Sequence, residues 1–476
     1  MRKLRELKKS IKVNTSFENL LTEATKKDIS YKLLIVSTQP TNPEYHKEFH
    51  TGRKLIEQAK AMNIPAYILH AESGTIQLEN TNPTIYKIYN EDDDEGFQIE
   101  PRNTVAIIRG SVNLADSRLD LVSQLEKAGV CCVNQRQAME ICSDKYRTGL
   151  RLADVGLTTP KTALVQNEKT IPKALEIVGE KYPLILKTLR GSKGVGVLFI
   201  ESRRSLDSTC QLLWKINEDT ELLLQSYIKA DFDVRVHVLG DTILATMRRD
   251  VAEGDFRSNY SRGGEVKSYK LSEDEKIICL KAAKAVGGTW TGVDFIKDKK
   301  DNVYILEINS SVGTKGIQET TKENIYENIL EYFKDKSKWS RTPTPCGYYE
   351  TVDIKPFGTL TAKFDTGNSG SPVIHADKMK VKGKKVIWTL RDKTITSDIL
   401  HTTEINVGGL QGHYDESRYV IKLDVVFLGH NYETEFTLDD RANKTPILFD
   451  REFMSRVNVM VNPSKKFLIT TYKEIK

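Results

Sequence analysis

Two carboxylates and one amide in the central part of the chain have the chemistry of a hard-cation site. Glu307 and Asn309 lie two residues apart in VYILEINSS, and Asp294 lies in TWTGVDFIK. Both runs are rich in apolar and β-forming residues, which predicts two strands. Because side chains alternate across a strand, Glu307 and Asn309 are expected on one face, with Asp294 beside them. Three oxygen ligands suit Mg²⁺ held against phosphates, and the competing interpretation is a set of surface salt bridges.

A glycine-rich loop upstream has the composition of a phosphate-binding turn. Residues 182–187 (YPLILK) predict a strand that ends in Lys187, and Val197–Ile200 resumes a strand pattern. Glycines let backbone N–H groups approach phosphate oxygens, and Lys187 adds a positive charge. Strands on both sides predict a hairpin over the phosphates, although such a loop on its own is more often only a turn. The residues of interest in this loop are Gly191, Ser192, Gly194 and Gly196.

Length and composition narrow the class of protein. A chain of 476 residues predicts several domains, and its net charge of +6 is compatible with an acidic substrate without requiring nucleic acid as a partner. The six cysteines form no CxxC pair, which indicates reduced thiols and a cytoplasmic protein, with neither a zinc ribbon nor a disulfide framework. The sequence contains no apolar run of transmembrane length, so no membrane association is expected.

Strand and helix patterns divide the chain into successive regions. We expect an α/β protein in which an open parallel-sheet domain precedes an α+β domain, followed by a small all-β domain. The parallel sheet is predicted from alternating strands and helices, and the all-β domain from short β-type runs after a proline-containing linker. The predicted boundaries are a basic arm at 1–30, the parallel-sheet domain at 31–140, the α+β domain at 141–338, the linker at 339–348 and the β domain at 349–476.

The central motifs together resemble the ATP-grasp ligases, and most closely the RimK-type glutamate ligases. The resemblance implies a pre-ATP-grasp domain followed by an ATP-grasp domain, and it extends from about residue 32 to residue 338. It is carried by CVNQRQAMEICSDKYRTGLRLADVGLTTPKT, LILKTLRGSKGVGV, LLQSYIKADFDVRVHVLGD, MRRDVAEGDFRSNYSRGGE, GVDF and LEINSSVGTKGI, in that order.

This resemblance implies roles for individual residues. The cations would be two Mg²⁺ or Mn²⁺ ions held by Asp294, Glu307 and Asn309. The lysines would hold the ATP phosphates, residues 225–228 would line the adenine slot, and Asp233 would face the ribose. Arg257 would be catalytic as well as close to the nucleotide. The implied nucleotide-binding residues beyond the glycine loop are Lys145, Lys187, Gln225, Ser226, Tyr227, Ile228, Asp233, Arg257, Ser258 and Asn259.

Two positions depart from the family pattern. The family usually has an acidic residue where Ser226 stands, and adenine binding should survive if that position acts through its backbone. Val312 replaces a proline after the metal-site asparagine, which is expected to loosen the loop without removing a ligand.

The implied reaction joins a carboxylate to an amine at the expense of ATP. Phosphorylation of the carboxylate gives an acyl phosphate, and the amine then displaces phosphate. Because arginine forks suit carboxylates and phosphates, an acidic donor, an acidic acceptor or both are expected, with glutamate and a protein or peptide end as the partners. The arginines assigned to this substrate are Arg235, Arg248, Arg249 and Arg262, beside the catalytic Arg257.

A second chemistry is predicted for the C-terminal region. The strand-like run TAKFDTG places Asp365 in an Asp-Thr-Gly tripeptide, and RANKTPILFDREFM follows later. This pattern resembles the retropepsin-like peptidases of the RimB type, which occur as partners of RimK-type ligases. An aspartic peptidase needs two carboxylates sharing one proton, so a single Asp365 per chain requires at least a homodimer. Asp450 stands where the family has a glycine, which leaves open a retained fold without activity; zinc is not expected.

Two interpretations of the whole chain remain. In the first, a ligase adds glutamate to a protein or peptide end, and the attached peptidase trims the product. In the second, the ligase acts on a small amino acid or peptide, and the β domain is a non-catalytic dimerisation or binding module.

Overall fold

The computed structural model describes residues 31–38, 50–71, 75–76, 87–90, 93–110, 112, 115–189, 196–250, 266–409, 412–441 and 444–470. The chain divides into two compact units, the second of which is formed mainly by Arg341–Lys476. The predicted basic arm, residues 1–30, lies outside the described residues. None of the helices in the described part of the chain has both the length and the apolar composition that a membrane-spanning segment needs.

A four-stranded parallel sheet begins the first unit, as the alternating strand and helix patterns predict. Its strand order is β2–β1–β6–β7, and its central strands are buried, apart from the partly buried Lys32 at the start of β1, because helices cover parallel sheets. The elements are β1 (Lys32–Ser37), α1 (His50–Ala61), β2 (Ala66–His70), a small antiparallel sheet of β3 (Thr75–Ile76), β4 (Lys87–Asn90) and β5 (Asp93–Gln98), then β6 (Thr104–Arg109), α2 (Asp116–Ala128) and β7 (Cys131–Val133).

An antiparallel sheet of four strands follows, with the order β10–β9–β11–β8. Strands β9 and β10 pair directly, so the glycine-rich loop joins a hairpin, as predicted. One face of this sheet packs on two helices through leucine, valine and isoleucine side chains. The elements are α3 (Arg136–Ser143), α4 (Lys145–Asp154), β8 (Thr162–Val165), α5 (Ile171–Val178), β9 (Leu184–Thr188), β10 (Val197–Ile200), α6 (Arg203–Ile216) and β11 (Leu222–Ser226).

A five-stranded antiparallel sheet carries the predicted metal ligands. Its order is β14–β13–β12–β15–β16. Along the first of these strands in the chain (Phe232–Leu239), Val234, Val236 and Val238 belong to the core that includes helix residues Cys279 and Ala282, so the alternate residues occupy the opposite face. The elements are β12 (Phe232–Leu239), β13 (Thr242–Asp250), β14 (Val266–Ser268), α7 (Glu273–Ala285), β15 (Trp290–Lys297), β16 (Val303–Asn309), α8 (Lys315–Thr320) and α9 (Ile325–Tyr332). Single 3₁₀ turns occur at Pro101–Asn103, Glu168–Thr170 and Lys336–Lys338.

The described residues of the second unit form strands apart from one short helix. A seven-stranded sheet has the order β18–β19–β27–β20–β26–β25–β24, and the additional pairing of β18 with β25 closes it into a barrel. The remaining strands form a three-stranded sheet, β21–β22–β23, and the parallel pair β17–β28. The elements are β17 (Thr344–Gly347), β18 (Tyr349–Ile354), β19 (Gly358–Phe364), β20 (Val373–His375), β21 (Asp377–Lys382), β22 (Lys385–Leu390), β23 (Lys393–Asp398), β24 (His401–Gly409), β25 (Gly412–Phe427), β26 (His430–Asp439), β27 (Ile447–Phe449), α10 (Arg451–Val457) and β28 (Val459–Asn462).

The stretch predicted as a linker, residues 339–348, differs from that prediction because Thr344–Gly347 forms β17. Pro345 lies within this strand and has no N–H to donate. β17 tolerates this proline because it pairs with β28 along one edge only. Its other edge has no neighbouring strand among the described residues and needs no N–H donor. The buried side chain of Cys346 then anchors this strand in the core of the second unit.

A buried carboxylate joins the two ends of the second unit. The side chain of Glu350 is fully buried and accepts hydrogen bonds from the backbone N–H groups of Gly347 (2.6 Å), Leu468 (2.9 Å), Ile469 (3.2 Å) and Thr470 (3.0 Å). The hydroxyl of Thr470 donates a further bond of 2.5 Å. A buried carboxylate needs such donors because it has left water, and these bonds hold residues 468–470 against the start of the barrel.

A single buried asparagine connects the parallel sheet to the five-stranded sheet. Asn134, which follows β7, donates to the carbonyl oxygens of Trp290 (2.6 Å) and Ser310 (2.7 Å). Its side-chain oxygen accepts from the backbone N–H groups of Thr289 (2.7 Å) and Trp290 (2.9 Å). Every donor and acceptor position used here is buried, and Ser310 directly follows the predicted metal ligand Asn309. Asn134 therefore fixes the end of β16 relative to the first sheet.

Replacing Asn134 with alanine should destabilise the first unit by about 3 kcal/mol or more, because four buried backbone groups lose their partners. The measurement is the calorimetric unfolding midpoint of the first unit in the full chain. Asn328→Ala on the exposed side of α9 is the matched control, and its midpoint should equal that of wild type. An unchanged midpoint for Asn134→Ala would show that these hydrogen bonds do not stabilise the unit.

Candidate active site

The three predicted metal ligands lie together on neighbouring strands. Asp294 on β15 is directly opposite Glu307 on β16, and Gly292 is opposite Asn309. The side-chain amide nitrogen of Asn309 lies 3.0 Å from Oε1 of Glu307. The pairing thus brings two carboxylates and one amide to the same face of the sheet. Their role as metal ligands stays a prediction.

Asp294 is held by two guanidinium groups. Arg235 on β12 donates from Nε to Oδ1 (2.7 Å) and from Nη2 to Oδ2 (2.5 Å), and Arg249 on β13 donates to Oδ2 (2.8 Å). Arg249 also binds Asp233 through both of its carboxylate oxygens, at 2.5 and 2.7 Å. Burial opposes ionisation of Asp294, but the two guanidinium groups outweigh it and lower the pKa of this carboxyl. Asp294 is therefore ionised at neutral pH.

The predicted substrate arginines have intramolecular partners. Arg235 and Arg249 contact Asp294, and Arg235 also lies 3.7 Å from Glu307. Arg248 donates to Asp250 at 2.5 Å, and its guanidinium lies 3.8 Å from the ring centre of Phe232. Their predicted contacts with substrate stay predictions. Arg262 lies outside the described residues, as do the predicted nucleotide-binding or catalytic residues Gly191, Ser192, Gly194, Arg257, Ser258 and Asn259.

The two predicted phosphate-binding lysines are partly buried near Glu307. Lys187 on β9 donates from Nζ to Oε1 of Gln225 (2.7 Å), whose amide donates to Thr162 (2.9 Å). Lys145 begins α4, and its Nζ lies 3.3 Å from the carbonyl oxygen of Thr188. Burial lowers the pKa of Lys187 to about 8, against the opposing effect of Glu307 and with a smaller contribution from Lys145. Burial also lowers the pKa of Lys145.

Backbone geometry explains why a glycine ends the loop between β9 and β10. Gly196 has φ +78°, and a Cβ there would lie 2.4 Å from Oγ1 of Thr188. The remaining predicted nucleotide-binding residues in the described part of the chain lie at the end of β11 and directly after it. Ser226 ends that strand, Tyr227 packs edge-on against Phe199 with ring centres 5.2 Å apart, and Ile228 comes next.

The donor set fits a magnesium ion. Asp294, Glu307 and Asn309 offer carboxylate and amide oxygens, without the nitrogen or sulfur ligands that favour zinc. Asp294 is buried, whereas the side chain of Glu307 is 42% exposed, so the cluster extends from the interior to the solvent-facing side of the sheet. Such an arrangement suits a cation that also contacts phosphate oxygens.

The two units of the chain match two different families of known proteins. Residues 142–333 match the model of the RimK-like ATP-grasp domain, and residues 346–472 match that of the retropepsin-like aspartic endopeptidase RimB. A probable alpha-L-glutamate ligase of Coxiella burnetii (strain Dugway 5J108-111) is 30% identical over 311 residues, which cover 64% of this chain and 96% of that protein. The chain belongs to the RimK family of ATP-grasp ligases.

A second relative agrees with this membership. The probable alpha-L-glutamate ligase of Shewanella loihica is 29% identical over 295 residues, covering 62% of this chain and 94% of that protein. ATP-grasp ligase PsnB, solved with a phosphomimetic variant of its minimal precursor, Mg and ADP, aligns with a TM-score of 0.50 at 17% identity and covers 64% of this chain and 98% of that chain. PsnB is similar in fold. The predicted fold class is confirmed, and the ATP-grasp family uses ATP and Mg²⁺.

The predicted peptidase carboxylate, Asp365, lies at the end of β19. Its Oδ2 accepts a bond of 3.0 Å from Lys363, and its Oδ1 accepts one of 3.0 Å from the backbone N–H of Gly367. Burial alone would raise the pKa of Asp365, but Lys363, the Gly367 N–H and the more distant Arg441 lower it. Lys363 was not among the predicted residues, although it lies on β19 two residues before Asp365, which directly follows that strand, and a two-residue spacing in extended backbone places side chains on the same side.

The departure at Asp450 has a structural role. Asp450 precedes α10, and its Oδ1 accepts from the backbone N–H of Phe453 at 2.9 Å, as an N-cap residue does. The backbone on either side of Asp450 is hydrogen-bonded to the segment that contains Asp-Thr-Gly. Asp365 N donates to Phe449 O at 3.1 Å, and Arg451 N donates to Asn368 O at 3.2 Å. The substituted position therefore still supports the loop that carries Asp365.

A histidine–aspartate cluster lies elsewhere in the second unit. Nε2 of His375 is 3.1 Å from Asp377, and its Nδ1 is 3.8 Å from Asp440. The backbone N–H of Arg441 donates to Nδ1 at 2.8 Å, so this nitrogen is the acceptor and Nε2 carries the proton in the neutral ring. Both ring nitrogens are thus engaged within the protein.

ATP affinity should decrease as pH rises through about 8, because Lys187 is protonated below its lowered pKa and loses its charge above it. The dissociation constant is measured by calorimetry with saturating Mg²⁺ from about pH 7 to about pH 9.5. Lys187→Met should bind ATP at least about tenfold more weakly near pH 7 and show a smaller change with pH. The exposed Lys169→Met serves as the control. A wild-type affinity that stays constant across this range would contradict the role of Lys187.

Proposed function

We propose that this chain is an ADP-forming ligase that adds glutamate to the end of a protein or peptide through an acyl phosphate. The observation that carries the proposal is that two lysines lie near the predicted metal ligands in the first unit. Lys145 and Lys187 supply positive charge near Glu307, and Glu307 stands beside Asp294 and Asn309. The similarity to probable alpha-L-glutamate ligases supports glutamate as the amino acid.

The reaction has two steps. A carboxylate oxygen of the acyl donor attacks the γ-phosphorus of ATP, the bond to the β–γ bridging oxygen breaks, and ADP leaves. The amine of the incoming amino acid then attacks the acyl carbon, inorganic phosphate leaves, and the nitrogen loses a proton to give the amide. The protein contributes alignment and charge, because both steps move negative charge along the phosphate path.

Individual residues of the first unit support these steps. Lys187 and Lys145 would neutralise phosphate oxygens, and the network of Arg235 and Arg249 keeps Asp294 ionised and fixed in orientation. Asp294, Glu307 and Asn309 would hold two Mg²⁺ ions, which supply charge neutralisation of the triphosphate. Arg257 is proposed as the cation at the transferring phosphoryl group, by its family position.

For the second unit we propose an aspartic peptidase that shortens the product of the ligase. Asp365 is fixed at the end of a strand, and the nearby Lys363 and Arg441 suit an acidic peptide. One chain supplies one such carboxylate, so the active form would be a dimer in which two Asp365 side chains share a proton. The partner's charge would then raise the pKa of one of the two carboxyls.

A non-catalytic second unit is the alternative, and one observation favours it. Lys363 is bonded directly to Asp365 and lowers its pKa, which opposes the shared proton that an aspartic dyad needs. In this alternative the barrel serves dimerisation or binding, and the first unit ligates a small amino acid or peptide.

Glu307→Ala should reduce ligation to background, because the site loses its more exposed carboxylate. The assay follows ADP and phosphate release with ATP, Mg²⁺, glutamate and a glutamate-ended peptide, and mass spectrometry identifies the product. Glu327→Ala on α9 is the matched control and should retain wild-type turnover. Release of AMP instead of ADP would exclude the acyl phosphate, and full activity of Glu307→Ala at limiting Mg²⁺ would exclude this residue as a ligand.

Asp365→Asn should leave ligation intact and allow longer glutamate chains to accumulate, since trimming would stop. Product lengths of wild type, Asp365→Asn and the exposed control Asp398→Asn are compared by mass spectrometry, and cleavage of a preformed glutamate peptide is followed against pH. A working dyad gives a bell-shaped profile, because one carboxyl must be ionised and the other protonated. Equal product lengths and no cleavage by wild type would identify the second unit as non-catalytic.

A further inference from the structure

Three buried polar side chains next to the metal-ligand strands have nitrogen atoms that find no hydrogen-bond partner among the described residues. These atoms are Nε of Arg109, both ring nitrogens of His237 and Nε1 of Trp290. The exposed fractions of the three residues are 7%, 0% and 2%. They form one cluster, because the guanidinium carbon of Arg109 lies 4.8 Å and the ring centre of His237 lies 6.4 Å from the ring of Trp290.

Strand register places this cluster immediately beside the predicted metal ligands. His237 on β12 pairs with Gly292 on β15, which pairs with Asn309 on β16. The adjacent row on the same face contains Arg235, Asp294 and Glu307, because alternate residues of a strand share a face. His237 and Trp290 therefore occupy the continuation of the metal site toward the interior of the unit.

Arg109 reaches the cluster from the other sheet. It is the last residue of β6, and its Nη2 donates to the carbonyl oxygen of Val312 at 2.5 Å. Val312 lies in the loop that follows Asn309, so this arginine touches the segment beyond the metal site. The carboxyl end of a parallel strand is the usual edge for ligand binding in open α/β sheets.

In the described part of the chain, no carboxylate balances the charge of Arg109. Within the described residues no aspartate or glutamate lies within ion-pair distance of it, whereas Arg235 and Arg249 are paired with Asp294 and Asp233. A buried charge is normally paired, and each buried donor without a partner costs about 1–3 kcal/mol. Burial accordingly lowers the pKa of Arg109 to about 10, which still leaves it a cation at neutral pH.

We propose that Arg109, His237 and Trp290 bind a carboxylate group of the substrate. The guanidinium, indole and neutral imidazole groups each present an N–H donor, and the cation favours an anion over an ammonium group. The position beside Asn309 suits a group next to the phosphoryl-transfer path. The inference rests on the proposed ligase function, and it names what that function leaves open, namely the residues that select an acid over its amide. The carboxylate belongs either to the free amino acid or to the glutamate-ended peptide.

The test compares acids with their amides by isothermal titration of the full chain with Mg²⁺ and a non-hydrolysable ATP analogue. The probes are glutamate, glutamine, isoglutamine and a glutamate-ended peptide with a free or amidated end. Wild type should bind at least one acid more tightly than its matching amide. In Arg109→Met the affinity for that acid should fall at least about tenfold and approach that of the amide, while analogue affinity stays within about twofold. The probe that loses affinity identifies the source of the carboxylate.

Further variants separate binding from folding. His237→Phe keeps a ring against Trp290 and removes both nitrogens, and it should lower the same acid preference. Arg204→Met on the exposed side of α6 is the matched control and should bind like wild type. An acid preference that is absent from wild type, or that persists in both Arg109→Met and His237→Phe, overturns the proposal. If Arg109→Met lowers only the unfolding midpoint, Arg109 is a structural contact to Val312 and the proposal is also wrong.

Turnover measured on the same proteins distinguishes this proposal from the proposed function. Wild type that discriminates acids from amides but releases no ADP would retain the carboxylate site and contradict the ligase reaction. If wild type ligates but the variants keep both their preference for the acid and their KM, the ligase function is retained and the proposed carboxylate site is wrong. For a binding role, the variants should raise KM for one carboxylate substrate more than they lower kcat.

Discussion

The buried pairing of Asp294 with Arg235 and Arg249 is the interaction on which the arrangement of the candidate active site depends. The carboxylate is inside the protein, where an unpaired charge would be strongly unfavourable, so both guanidinium groups must reach it. They come from two further strands, and Asp233 balances the second of them. A slip of one residue between β12 and β15 would bring the apolar Val234 or Val236 to the position of Arg235. The ion pairs therefore favour a single register, which in turn aligns Asp294 with Glu307.

The first sheet contributes to this site through contacts that follow its strands. Asn134 after β7 binds the carbonyl oxygen of Ser310, and Arg109 at the end of β6 binds that of Val312. These two bonds hold the segment that follows Asn309, and they are separate from the arginine network around Asp294. Val312, where the family has proline, is buried against Gly292, which has no side chain to collide with it. The buried side chain of Val312 and the bond from Arg109 to its carbonyl oxygen are the contacts that hold this loop, and the predicted loosening relative to proline stays a prediction.

Local patterns in the sequence predict the elements, and partners distant in sequence decide the rest. The apolar strand pattern and the two-residue spacing of Glu307 and Asn309 predict their shared face, because both depend only on strand geometry. The pairing of Arg235 with Asp294 joins residues 59 positions apart, so no local pattern reveals it. Arg109 and His237, which we propose as substrate-binding residues, were not predicted for the same reason, since each has the pattern of an ordinary strand residue. β17 was not predicted because it contains Pro345. A proline is compatible with a strand at an unpaired edge, and the sequence does not show which edges are paired.

The bonds of Glu350 have a consequence for synthesis of the chain on the ribosome. This carboxylate is made 118 to 120 residues before the backbone donors of Leu468, Ile469 and Thr470. At roughly 5–20 residues per second, the interval is on the order of 10 s. During that time Glu350 has the N–H of Gly347 but not the donors from residues 468–470, while every described residue of the ATP-grasp unit has already been translated. Translation of the ATP-grasp unit therefore precedes completion of the barrel, and a nascent chain halted in this interval would contain the whole sequence of the first unit and only part of the second.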